Sequence, residues 1–481
     1  MLREKIDLLL LFLIIFFGFI VRLYRFDNPN ADWHAWRQAD TSAVSRNFVR
    51  FGFDVLHPRF DDLSNVPSGI DNPKGYRFVE FPLYNVVQAG LFVTFGIFTL
   101  EQWGRLVTIV ASLLSATILF FLVRKHFGEI AGVLTAFFFT FLPFNIYFSR
   151  TILPDPSMVS AILGGIYFFD KWISKDSKLA IARLDFFLGL CLTAVAFLLK
   201  PFALFFTLPM VYLVFNKFGL RFYKKWQLWI FLIIGLIPLG LWRLWITQYP
   251  EGIPGSSWLF NGGNIRFKPA FFYWLFADRI GRLILGYWGL VLLGFGLTQK
   301  AGKNYLFFTF LLSSLVYLFV IARGNVQHDY YQILIMPTIA IFLGLGSNAL
   351  LKLPGEYFHK ISCYILVFVA VVFMFSFGWY FVRDYFNINN EAIVTAGKAI
   401  DALTPKNAKI IAPYNGDTSF LYQTKRQGWA SFEKPLPEMV SIGADYLVLV
   451  NPSNRDYDIG KTYKIVSATP QYILFDLRQK P

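Results

Sequence analysis

Ionisable residues are scarce in this chain, and several of them stand in short polar islands between long apolar runs. The first island is Trp33-His34-Ala35-Trp36-Arg37-Gln38-Ala39-Asp40-Thr41, and the second is Phe78-Val79-Glu80-Phe81-Pro82-Leu83-Tyr84. The third is Ser149-Arg150-Thr151-Ile152-Leu153-Pro154-Asp155-Pro156. Lys200-Pro201, Arg323 and His328-Asp329-Tyr330-Tyr331 complete the set. Asp40, Glu80 and Asp155 are carboxylates of the kind that takes a proton from a hydroxyl or amine nucleophile. Arg37, Arg150, Lys200 and Arg323, with His328, Tyr330 and Tyr331 beside the last, form a set suited to holding a phosphate.

Each residue also has a purely structural reading. Asp40 fits an N-cap of the helix that follows it, where its charged form is stabilised and it is a weak base. That role is compatible with chemistry, because a cap is rigidly placed. Glu80 fits a first-turn acid complementing the dipole of a helix opened by Pro82. Asp155, fixed between two prolines, fits a solvated cap, and His328 fits a structural histidine. No glycine-rich phosphate loop, HExxH or Cys/His metal spacing is present. No cofactor is therefore expected; carboxylates leave room for a divalent metal ion, but nothing argues for one.

The elements that must position these groups follow from composition. The chain has 481 residues, 56% hydrophobic, 19% aromatic and only 16% charged. Soluble domains carry about a quarter charged residues, so a soluble enzyme, a disordered chain and a disulfide-stapled secreted domain are all excluded. The net charge of +15 is assigned to anionic lipid headgroups rather than nucleic acid, because the aromatics fall in apolar runs and interfacial segments. Cys191 and Cys363 lie inside such runs.

About eleven runs approach the ~20 residues that a membrane crossing needs: 8–24, 104–123, 129–147, 157–172, 184–199, 202–216, 227–246, 283–298, 305–321, 333–350 and 362–380. The first is followed by Arg22, Tyr24 and Arg25 with no small-x-small cleavage pattern, so it is expected to remain as an anchor. One set of loops holds Arg124-Lys125, then Lys171, Lys175 and Lys178, then Lys217, Arg221, Lys224 and Lys225, then Lys300 and Lys303. The alternate set holds Arg150, Lys200 and Arg323. The positive-inside rule assigns the first set and the N-terminus to the cytoplasm. Three long segments, 25–103, 247–282 and the tail from about 381, then lie outside.

Crossing by 83–100 would invert every later basic loop, so this stretch is expected to lie on or dip into the outer leaflet. Val44, Phe48 and Phe51 at i, i+4 and i+7 predict a second helix in the interface, approached by Trp33 and Trp36. The tail predicts a small soluble α/β domain. It has β-rich runs at 410–412, 446–450, 463–466 and 472–475 and a helical pattern at 391–403.

Taken together, these islands resemble the GT-C class of membrane glycosyltransferases, and within it family 39, the protein-mannosyltransferase and aminoarabinose-transferase-like group. The resemblance covers residues 1–350. It rests on Trp36-Arg37-Gln38-Ala39-Asp40-Thr41, on Glu80-Phe81-Pro82-Leu83-Tyr84, on Ser149-Arg150 followed by Pro154-Asp155, and on His328-Asp329-Tyr330-Tyr331. It implies a polytopic α-helical membrane protein of about eleven transmembrane helices, residues 1–380 with a first outer loop at 25–103. A small extracytoplasmic α/β domain follows at 381–481.

The resemblance further implies inverting transfer of a sugar from a polyprenyl-phosphate donor to a glycan, lipid or protein acceptor on the extracytoplasmic face, in the cell envelope. Asp40 matches the family's first-loop acid, and Asp155 its second acidic position. Arg37, Arg150, Lys200 and Arg323 are the carried-over phosphate ligands. Two departures bear on substrate. Thr41 stands where protein mannosyltransferases place Glu after the first-loop Asp, and Phe81 stands where aminoarabinose transferases often carry Lys. The alternative is a transporter or flippase of lipid-linked sugars. Such proteins show repeated halves and mid-span charges, whereas this chain has no repeat and its charges gather at one face. A non-catalytic subunit that keeps the fold is a further alternative, against which the retained Asp40 and Asp155 argue.

Overall fold

The computed structural model describes residues 2–175, 180–299, 305–353 and 359–481. Lys178, Lys300 and Lys303, counted above among the loop cations, lie outside the described residues. The described chain forms two compact units. One comprises Met1–Tyr24, Leu106–Trp242 and Ser256–Asp384; the other comprises Arg25–Arg105, Arg243–Gly255 and Tyr385–Pro481. The outer loop, expected to belong with the spans, thus groups with the tail.

The first unit is helical. Each of the eleven apolar runs is helical over most of its length. By length and apolarity alone, five helices among the described residues suffice to cross a membrane, or six if one bent pair is a single span. That pair corrects the reading of 283–298 as one straight crossing. The helix ending at Ile284 and the helix Gly289–Leu297 meet at 116°. Gly286 and Tyr287 between them both take positive φ (48° and 60°). Apolarity signalled the helical character of this run, but a left-handed pair of residues breaks its axis.

The helix Met336–Lys352 is the centre of this unit, and every residue from Met336 to Leu350 is buried. A helix apolar on all sides has to be surrounded, and small residues let its neighbours approach. A Cβ on Gly346 would stand 1.9 Å from the Leu292 carbonyl oxygen, and one on Gly296 would stand 2.0 Å from the Phe342 oxygen. Between helices in an apolar solvent, such close backbone approach is a main source of attraction.

In the second unit the tail forms a five-stranded mixed sheet in the order β2-β1-β3-β5-β4. Its strands are β1 Lys409–Ile411, β2 Gln427–Trp429, β3 Tyr446–Val450, β4 Lys464–Ala468 and β5 Tyr472–Asp476. Consecutive apolar residues along a strand face opposite sides, and here both sides are covered. Ile410, Val448 and Leu474 pack with Ile393, Ile400 and Phe420. Ile411, Leu447 and Phe475 pack with Met439, Trp429 and Leu63. The helix Glu391–Leu403 is capped by the Asn390 side chain, which accepts from Ala392 N. The short β2, the helices Ser419–Gln423 and Leu436–Ser441 and the 3₁₀ helix Asp456–Lys461 escaped the sequence pattern.

The loop joins this sheet: Leu63 N donates to Gly428 O and Gly428 N donates to Asp61 O, a short parallel extension beyond β2. Its helix Leu83–Phe95 has 13 residues and ends at left-handed Gly96. At 1.5 Å per residue it is about 20 Å long, short of the roughly 30 Å hydrocarbon core.

Gly346→Ala is expected to lower the melting temperature of the detergent-solubilised protein, at a cost of about 1–3 kcal/mol from overpacking. Gly294→Ala, where an added Cβ meets nothing within 4 Å, should leave it unchanged or slightly raised. Equal melting of the two variants would show that close approach at Gly346 carries no stability.

Candidate functional site

The helix Ala35–Phe51 begins five residues before Asp40, with left-handed His34 in the capping position. This corrects the N-cap reading: Asp40 sits in the helix body. The helix is also not an interfacial one with a wet face. Arg37, Gln38, Asp40, Thr41, Ser42, Ser45 and Asn47 are buried together with Ala39, Val44 and Phe48. Periodicity failed here because polar residues all round a helix can be buried when distant segments supply their partners.

Those partners come from within the second unit. Asp40 Oδ2 accepts from Arg77 Nη2 at 2.6 Å, and Asp40 Oδ1 accepts from Thr418 Oγ1 at 2.7 Å. Arg37 Nη2 donates to Glu80 Oε1 at 2.5 Å. Glu80 is therefore the counter-charge of Arg37, and it precedes the helix Leu83–Phe95, whose N-cap is Pro82. Arg46 bridges to Asp61 and lies 3.9 Å over the Tyr422 ring, and Tyr422 Oη donates to Glu101 at 2.5 Å. Asn85 Nδ2 donates to Thr41 O at 2.7 Å and Gln88 Oε1 accepts from Ser45 Oγ at 2.7 Å, which locks the two loop helices together.

Two more acids lie within electrostatic range of Asp40. Burial pushes the Asp62 carboxyl up to about 6, opposed by bonds from Ser64 Oγ, Ser64 N and Ala430 N and reinforced by the charge of Asp40. Burial also raises Asp417, against its bonds from Ser419. Asp62 and Asp417 carried no recognisable motif, and Arg77 and Thr418 none either. Their roles arise only once the loop and tail have folded together.

In the first unit, Asp155 is the first residue of the helix Asp155–Ser174. It is buried rather than solvated, and its Oδ1 accepts from Lys200 Nζ at 2.6 Å. Asp155 Oδ2 is buried without a hydrogen-bond partner. The Lys200 ammonium also lies 4.9 Å from the Tyr331 ring centroid and 5.4 Å from those of Tyr330 and Phe202, a cation–π cage. Tyr330 and Tyr331 stack at 4.7 Å, and His328 stacks on both. Tyr317 Oη donates to Tyr331 O at 3.2 Å, and Gln332 Nε2 reaches Asn325.

Arg150 is fully buried and donates Nη1 to Tyr24 O at 2.5 Å. Arg323 is partly exposed, its Nε 3.4 Å from Gln327 Oε1. Two arginines that sequence reasoning passed over stand with it around the short helix Ala322–Gln327. Arg266 Nη2 donates to Val320 O at 3.1 Å, and Arg279 Nη2 to Val326 O at 3.0 Å. Among the described residues, no three His, Cys, Asp or Glu side chains are grouped to hold a metal ion.

Chemically, the second unit offers a buried carboxylate held at both oxygens, and the first unit offers an aromatic-caged ion pair and a group of arginines. Residues 82–245 match the family model for dolichyl-phosphate-mannose-protein mannosyltransferase. The fold is similar to that of ArnT from Cupriavidus metallidurans bound to undecaprenyl phosphate. The TM-score is 0.69 at 12% identity, over 96% of this chain and 97% of that one. It is also similar to the archaeal oligosaccharyltransferase AglB from Archaeoglobus fulgidus in complex with an inhibitory peptide and a dolichol-phosphate. There the TM-score is 0.60 at 11% identity, over 96% of this chain and 74% of that one. No curated protein matches the chain in sequence. The fold is thus that of the GT-C class. The more particular resemblance to its family 39, read from the polar islands, is borne out by the matching segment and by the likeness to ArnT.

Lys200→Met is expected to destabilise the protein by about 3–5 kcal/mol, because it leaves the Asp155 charge buried and unpaired. Lys200→Met/Asp155→Asn should recover most of that loss in a thermal-shift measurement; failure to recover would mean that packing of Lys200, not its charge, is what matters. Asp62 has its folded value raised above the ordinary 3.8. Its contribution to stability is therefore full below pH 4 and is lost as pH rises through about 6. Asp62→Asn removes that titration, so its melting temperature relative to the parent protein should climb between pH 4 and 7; a flat difference would contradict the burial argument.

Proposed function

We propose that the chain is an inverting glycosyltransferase that moves a sugar from a polyprenyl-phosphate donor to an acceptor on the extracytoplasmic face of the membrane. The observation that carries this reading is the buried Asp40, held by a guanidinium and a hydroxyl, in a chain with the GT-C fold. A general base has to be fixed in direction to be useful, and Arg77 and Thr418 fix both oxygens of this one.

In the proposed reaction Asp40 takes the proton of the acceptor's hydroxyl or amine. The nucleophile bonds to the anomeric carbon in line, the bond from that carbon to the phosphate oxygen breaks, and the polyprenyl phosphate departs with the electron pair. Cations stabilise the charge that builds on the leaving phosphate. Arg323 is assigned that role, with Arg266 joining it; Arg279 is left out because Asp278 already matches its charge. Lys200 is assigned the placing of Asp155 rather than direct phosphate binding, since its charge is already matched. Arg37 is assigned to organising its own surroundings on the same argument, and Arg150, fully buried and donating to Tyr24 O, to holding its own segment in place. Glu80, matched by Arg37, supports the loop rather than the proton transfer.

The test is envelope glycan analysis by mass spectrometry in a strain lacking the gene, complemented by variants. The parent chain should restore one missing sugar. Asp40→Asn should restore none at normal membrane abundance, consistent with the roughly 10²–10⁴-fold that a general base supplies. Thr418→Val should lose part of the activity and shift its pH profile, and Thr418→Ser should restore both. Normal glycans with Asp40→Asn would remove Asp40 from the base role; no glycan difference at all in the deletion strain would refute the proposal.

A further inference from the structure

The first unit contains an apolar cavity of about 240 Å³ that the proposed reaction does not use. It lies among the helices Asp155–Ser174, Ala180–Leu199, Leu208–Phe218 and Trp226–Ile246 and is lined by Phe197, Met210, Val214, Phe215, Phe222 and Trp229 among others. Its two hydroxyls are already committed to backbone: Thr193 Oγ1 donates to Gly189 O and Thr207 Oγ1 to Leu204 O. A polar ligand would find no partner there, so the occupant must be hydrocarbon. The space exceeds the roughly 150 Å³ that admits benzene in an apolar core. The cavity opens at the side of the unit, where Val211, Phe215, Trp229 and Leu232 are both lining and exposed.

At one end of this cavity the chain runs Lys217-Phe218-Gly219-Leu220-Arg221-Phe222-Tyr223-Lys224-Lys225-Trp226. Phe222 lines the cavity and packs on Phe215 at 4.9 Å, while its neighbours point outward. Lys217, Arg221, Lys224 and Lys225 are all exposed, as are Leu220, Tyr223 and Trp226 between them. Lys225 N donates to Phe222 O, and Trp229 Nε1 donates to Tyr223 O, which fixes the cations beside the cavity lining. The sequence has no Asp or Glu from 186 to 250, and among the described residues none of the four cations is paired with a carboxylate. Basic residues interleaved with Tyr and Trp are the composition of a segment seated at a charged lipid surface.

We infer that this is a binding site for an anionic phospholipid, with one acyl chain in the cavity and the phosphate against Lys217, Arg221, Lys224 and Lys225. The site is independent of the transferase reading. Its cations belong to the loop set that the charge pattern assigns to the cytoplasm, whereas the proposed reaction uses its donor on the other side.

The test uses the full chain, delipidated in detergent, with phosphatidylglycerol, phosphatidylcholine or a polyprenyl phosphate added back and binding read by native mass spectrometry and thermal shift. Phosphatidylglycerol should be retained and should raise the melting temperature more than phosphatidylcholine does. The Lys217→Gln/Arg221→Gln/Lys224→Gln/Lys225→Gln variant should bind it at least about tenfold more weakly, and Val214→Trp should block it by filling the cavity. If Val214→Trp does not fold, the charge variant decides alone. Equal effects of the two phospholipids, undiminished binding in the charge variant, or displacement of phosphatidylglycerol by an equimolar polyprenyl phosphate would each overturn the inference.

Discussion

A charge taken out of water must bring its partner with it, and the helical unit is organised by that constraint. Moving a bare ion into a low-dielectric interior costs far more than any single contact returns, so every buried charge needs a counter-charge or several hydrogen bonds in place. Lys200 and Asp155 meet this need as a pair inside an aromatic cage. Arg22 meets it with no carboxylate, donating to Gly18 O, Thr140 O and Ser149 Oγ. Lys125 and His126 share Asp170, and Lys171 and Lys175 share Asp185. Apart from the bond from Arg22 to Gly18 O within one helix, these bonds join separate elements, so electrostatic satisfaction and helix registry are the same requirement.

The same rule governs the loop–tail unit. Its loop helix carries a polar residue on nearly every side and is still buried, because Glu80, Arg77, Asp61, Gln88 and Thr418 arrive from elsewhere in the chain. Asp40 is the end point of this network. Its orientation is fixed by a residue of the loop and a residue of the tail, so the small α/β domain is more than an appendage.

This difference explains what was legible in the sequence. Apolar runs report their own burial, and the helices of the first unit coincide with them. The strands around Ile410, Leu447 and Ile473 were visible for the same reason. What failed were inferences about polar residues from local pattern alone. Asp40 was read as a cap because the nearest available role for a carboxylate beside a helix is local. Its actual partners are 37 and 378 positions away in the chain. The basic loops show only their own charge in the sequence, whereas Arg124, Lys125, Lys171 and Lys175 are halves of pairs with buried Asp7, Asp170 and Asp185. Arg266 lies in a stretch without a motif and acquires meaning only through the carbonyls it reaches.

The loop–tail unit is assembled from three stretches, Arg25–Arg105, Arg243–Gly255 and Tyr385–Pro481. During synthesis the first of these leaves the ribosome nearly three hundred residues before the last begins. Throughout that interval the helix bearing Asp40 lacks Thr418, and Arg46 lacks the Tyr422 ring it stacks on. The nascent loop therefore waits, with polar groups unsatisfied, for the end of translation. The network around Asp40 can therefore close only once the tail has been made.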